Sequence, residues 1–112
     1  EAFAEECARR GLGRGLDPRV ARAAAALGDP ADGRDVARAA RDLFRQELAR
    51  SPDYHEFHFW LAVALWNLGE TRSAREHLEK AIENSTTREQ TAIYAGKLKK
   101  INAARARTAN GS

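Results

Sequence analysis

The 112-residue chain predicts an all-α fold, a stack of antiparallel helix pairs. Three observations lead there. No segment alternates apolar and polar residues with period two, so no sheet is expected. Five long stretches instead repeat apolar residues at helical spacing, separated by turn-forming residues. The apolar pattern also recurs along the chain, so neighbouring segments ask for the same surroundings.

Asp17-Pro18 opens the first long helix, because Asp can accept a bond from an orphan N–H while Pro at the first helical position loses nothing. Val20 to Leu27 follows and Gly28-Asp29-Pro30 stops it, with Ala31 to Arg34 as a polar turn. The second helix starts at Asp35 and carries Val36, Ala40, Leu43, Phe44 and Leu48 on one stripe until Ser51-Pro52. Asp53 with Glu56 has the spacing of a capping box for the third, whose apolar positions include Phe57, Trp60, Leu61, Ala64, Leu65 and Leu68 before Gly69. The fourth runs from Thr71 to Glu83 and turns Ala74, Leu78, Ala81 and Ile82 inward, ending near Asn84. Thr86 with Glu89 repeats the capping-box spacing and opens the fifth, where Tyr94, Leu98 and Ile101 share a face. Phe3 and Cys7 suggest a further short helix at 2–10, and 108–112 reads as a frayed tail.

A shift of 34 residues superimposes Ala40, Phe44 and Leu48 on Ala74, Leu78 and Ile82, and Trp60 on Tyr94. A shift of 41 lays Val20, Ala24 and Leu27-Gly28 on Leu61, Leu65 and Leu68-Gly69, the extra seven residues forming an insertion in the Pro30–Val36 turn. One amphipathic hairpin cannot bury both its faces, and small residues at Ala21, Ala40, Ala62, Ala74, Ala81 and Gly96 would let helix axes approach closely. Stacking supplies the missing core.

This pattern resembles the tetratricopeptide repeat, a helix–turn–helix unit of about 34 residues. Residues 55–88 are the best copy: Leu61-Ala62 stands where the family has Leu-Gly, Leu68-Gly69-Glu70 matches the turn between helices, and Ala74, Leu78 and Ala81 match the small–large–small packing of the second helix. Thr86 replaces the Pro usual at the unit's end, whereas the preceding copy keeps Pro52. The resemblance implies a right-handed superhelical α-solenoid organised as one domain over 1–107. In it, 1–13 would be an N-terminal helix left from an earlier repeat, 14–54 a divergent repeat with a long turn and Glu47 at a small-residue position, and 89–107 a C-terminal capping helix. Lys99 and Asn102 fit a cap, since they stand where the preceding helix has Leu65 and Leu68.

Charge and composition narrow the function. Of 19 basic and 16 acidic side chains, the surplus lies in 89–112, where Lys97, Lys99, Lys100, Arg105 and Arg107 face one acid, Glu89. No run of about 18 apolar residues could span a bilayer, and a lone Cys makes no internal disulfide. The chain opens at Glu1 and lacks Met, which reads as a fragment or processed product; a cytoplasmic location is the expectation. Arginine outnumbers lysine 15 to 4 and alanine reaches 23, a composition suggesting a GC-rich bacterial source.

No Ser/His/Asp grouping, catalytic carboxylate pair or phosphate loop is evident, so an enzyme is not expected and no cofactor is implied. His55-Glu56-Phe57-His58 falls one residue short of the HExxH zinc motif and has no third ligand, so its histidines are expected partly exposed at a helix start, with His77 near the surface. Cys7 reads as a small buried hydrophobe, and the sequons at Asn84 and Asn110 as a turn and a chain end.

In the resembled fold the first helix of each unit lines a concave surface that binds peptides or protein segments. Its lining positions fall on Arg22 and Ala25, on Phe59, Val63, Trp66 and Asn67, and on Gln90, Ile93, Lys97 and Lys100. Phe59, Val63 and Trp66 make an apolar stripe with cationic flanks, suited to a partner with a large hydrophobic side chain and a carboxylate. Coverage of that stripe by the N-terminal helices, or by a second copy in a homodimer, is the competing reading. A clamp for a terminal carboxylate is not expected, because Phe59 and Val63 stand where such clamps carry polar groups. Nucleic-acid binding by the basic last helix is a further alternative, weakened by the lack of interleaved aromatics to stack bases.

Overall fold

The computed structural model describes residues 17–27 and 33–111, with the side chains of 17–27 and 34–104. The expectations for 1–13 and for Gly28-Asp29-Pro30 lie outside these residues. Five helices follow one another: α1 (Pro18–Ala26), α2 (Gly33–Arg50), α3 (His55–Asn67), α4 (Thr71–Asn84) and α5 (Arg88–Gly111). No strand occurs among the described residues. The helix α5 continues to Gly111, past the boundary at residue 107 that the sequence suggests.

The helix ends show why the chain breaks where it does. Asp17 caps α1 by accepting from the Arg19 amide at 2.8 Å, with Pro18 in the first turn. After α3, Gly69 takes φ +83°, the Glu70 amide donates to the Leu65 carbonyl and the Gly69 amide to the Trp66 carbonyl. That left-handed ending satisfies two orphan carbonyls and reverses the chain into α4.

Two caps differ from expectation. Asp53 makes no capping bond; Tyr54 occupies the N-cap of α3 without a side-chain bond, its ring packed edge-on against Phe57 with centroids 4.6 Å apart. Aromatic packing sets that helix start, and Glu56 is buried. At α5 the box sits one residue later than Thr86/Glu89. The Gln90 amide donates to Thr87 Oγ1 at 3.1 Å, while Gln90 Oε1 accepts from the amides of Thr86 (2.9 Å) and Thr87 (3.3 Å). Thr86-Thr87-Arg88-Glu89-Gln90 offers the same spacing in two successive registers, and the later one is used.

The core repeats as the sequence does. Ala40 and Phe44 on α2 and Ala74 and Leu78 on α4 are all buried, while Leu48 and Ile82 are both half-buried against the core. Position 47 breaks the correspondence with Ala81: Glu47 is accommodated by pairing with Arg50 at 2.9 Å and with Arg19 of α1 at 3.8 Å. Helix α3 packs most extensively on α4 and next on α2. Every residue of α3 from His55 to Leu65 is buried, so α3 is the centre of the stack. Tyr94 and Ile101 of α5 are buried and Leu98 half-buried, whereas Lys99 and Asn102 are exposed on its outer face.

Gly96 is corrected. A methyl group placed there would meet nothing within 4 Å, and the residue is exposed, so it permits no close helix approach. Ala40, Ala62, Ala74 and Ala81 are buried at 1% exposure or less.

Candidate functional site

The residues expected to line a concave surface divide into buried and accessible ones. Phe59 and Val63 are 0% and 2% exposed, which corrects the expectation of an open apolar stripe. The reason for Phe59 is visible in its neighbours: its ring lies 4.7 Å from that of Tyr94 on α5 and 4.8 Å from that of Trp60. Phe59 faces another helix and, with Val63, serves as core. Trp66, Ile93 and Lys97 are half-buried, and Arg22, Ala25, Asn67 and Lys100 are exposed. Asn67 Nδ2 donates to the Leu27 carbonyl at 3.3 Å, tying the end of α3 to the end of α1. Gln90 is engaged in the α5 cap. The accessible members of the expected set therefore include one half-buried indole on α3 and cations on α1 and α5. The side chains of Arg105 and Arg107 lie outside the described residues.

A polar cluster inside the stack was not anticipated. His55, Glu56 and His58 are all buried, contrary to the expectation of partly exposed helix-start histidines. His55 Nδ1 and the Tyr94 hydroxyl are 2.6 Å apart, bridging α3 and α5. His58 Nε2 lies 2.7 Å from the Pro52 carbonyl, and its Nδ1 lies 3.0 Å from Nδ1 of His77 on α4. The two imidazoles of α3 thus point to different partners and do not converge on a common ligand position. Among the described residues no three His, Cys, Asp or Glu side chains are grouped to hold a metal ion.

Burial is the first cause of the shifts at His55, His77 and Tyr54. It pushes His55 below the usual imidazole range. His77 is pushed down to about 4, first by burial and then by His58, Lys80 and Arg45, with Glu76 opposing. Tyr54 is raised by burial and by the nearby Glu56 carboxylate. The available sequence signal was position: His55 and His58 open the most apolar helix in the chain, so they enter its core with it.

Ion pairs lace the outer faces. Arg41 of α2 lies 3.7 Å from Glu70 in the α3–α4 turn, and Arg38 pairs with Asp35 one turn away. No helix among the described residues is long and apolar enough to cross a membrane.

A family model described as tetratricopeptide repeat matches residues 35–95, from the start of α2 into α5. Comparison with curated proteins gave no match, and neither did comparison with solved structures.

Proposed function

Since the chain belongs to the tetratricopeptide repeat family, whose repeats generally mediate protein–protein interaction, we propose that it is a non-catalytic module that binds a segment of a partner protein. The reading rests on the accessible part of the expected lining, taken as a rim: half-buried Trp66 and exposed Asn67 on α3, exposed Arg22 on α1, and half-buried Lys97 and exposed Lys100 on α5. Such a rim suits a segment with one large apolar side chain and flanking carboxylates. Burial of Phe59 and Val63 anchors the helix that carries Trp66, which lowers the ordering cost of binding. Self-association would need a broad apolar face, and no large hydrophobic among the described residues is exposed.

Tryptophan fluorescence tests the reading. Trp60 is buried and Trp66 half-buried, so a ligand on the rim changes chiefly the Trp66 signal. Peptides carrying one Leu or Phe among Asp and Glu residues should give a saturable change that weakens about tenfold or more in Trp66→Ala combined with Lys100→Glu. Binding that survives both substitutions unchanged removes the rim from the account.

A further inference from the structure

The contact between His58 and His77 constrains its own protons. Its rings are stacked, with centroids 5.3 Å apart and planes 24° from parallel, and the two Nδ1 atoms face each other at 3.0 Å. The remaining nitrogen of His58, Nε2, faces the Pro52 carbonyl oxygen at 2.7 Å. A carbonyl oxygen can only accept, so that Nε2 carries a hydrogen. A bond between two Nδ1 atoms needs one hydrogen shared between them.

With both rings neutral a single arrangement meets these conditions. His58 is the Nε2–H tautomer, and its bare Nδ1 accepts from Nδ1–H of His77. One added proton is tolerated. It goes to Nε2 of His77, and the shared hydrogen can then sit on either Nδ1. A second added proton has no such place, because both Nδ1 atoms then carry hydrogens and two imidazolium rings face each other at the same separation.

We propose that His58 and His77 form an acid-operated clasp, closed with at most one added proton and opened by the second, that ties α3 to α4 and to the turn preceding α3. Pro52 lies in the turn joining α2 to α3, so one imidazole holds that turn through Nε2 and the neighbouring helix through Nδ1. Opening loosens the helix pair of the repeat at the point where the previous pair joins it.

The surroundings set where His77 takes its proton. His77 is influenced by His58 from α3, by Arg45 from α2, and by Lys80 and Glu76 from α4. Burial, then His58, Lys80 and Arg45, hold it down to about 4 against the carboxylate of Glu76. An unfolded chain binds the same proton near the ordinary imidazole value of about 6.5. The stability supplied by the neutral ring is therefore complete above that value and is lost as pH falls from it toward about 4. His55 behaves differently. Its partner, the Tyr94 hydroxyl, both donates and accepts, so a bond at Nδ1 persists in either protonation state.

Two measurements on the intact chain test the clasp. Two-bond proton–nitrogen NMR spectra at pH 7.5 should show His58 as the Nε2–H tautomer and His77 as the Nδ1–H tautomer; finding both rings as Nε2–H would leave the contact without a hydrogen and overturn the proposal. Urea unfolding of the wild type, His58→Gln, His77→Gln and the double variant should give a coupling of about fivefold in the folding constant at pH 7.5, vanishing or changing sign at pH 4. Equal coupling at both pH values overturns it. Should a variant not fold, titration of the wild type decides. Both rings cationic at pH 4 with unchanged α3 and α4 backbone resonances rules the clasp out, and loss of contacts between them as the second of the two rings charges supports it.

Discussion

At Gly69 the backbone turns through φ +83°, a left-handed conformation in which a Cβ is strained even though open space surrounds it. At Gly96 the surroundings are equally open, but the residue lies in the middle of α5 with helical geometry. Alanine should therefore act in opposite directions at the two sites. Gly69→Ala is expected to cost about 1 kcal/mol, and Gly96→Ala to add roughly 0.5–1 kcal/mol, both read from urea midpoints at constant slope. Gly69 was legible because a turn between two apolar stripes calls for it. Gly96 was misread, because a small residue in a repeat looks the same whether a neighbouring helix or solvent lies opposite. The histidines were harder still. A hydrogen bond such as that between His55 and Tyr94 joins residues 39 apart in sequence, and local spacing carries no trace of it.

Helix boundaries follow local chemistry closely enough that, apart from the end of α5, which runs four residues past the expected 107, the expected starts and ends fall within about two residues of those observed. Their caps were less legible. The carboxylate of Asp53 lost the start of α3 to the packing of Tyr54 on Phe57, and the doubled Thr-x-x-Glu/Gln spacing before α5 left its register undecided. The difference at α5 is measurable. Thr87→Ala should cost about 1 kcal/mol, whereas Glu89→Ala, whose side chain makes no capping bond here, should cost a few tenths at most. The reverse order in thermal or urea unfolding would restore the earlier register. Apolar faces were read well for α2, α4 and α5, where polar residues mark the solvent side. In α3 there is no polar side to mark, and so Phe59 and Val63 looked available for binding when they are core.

Across the whole molecule, the repeat arithmetic anticipated both the stacking and its exception at Glu47, which salt bridges to Arg50 and Arg19 turn into a link between α1 and α2. These pairs are mostly exposed on their cationic side, so raising the salt concentration should shift stability little. The central position of α3 has a different consequence, which concerns time. Amide protons exchange with solvent at rates set by how often their hydrogen bonds open, and end helices of a stack can open without disturbing the middle. Because α3 is enclosed from His55 to Leu65, its amides can be reached only when neighbours on both sides have parted. In deuterated water α1 and the last turns of α5 should exchange first and α3 last, at the rate of global unfolding. A chain read through its exchange would then keep a clock with α3 as its slowest hand.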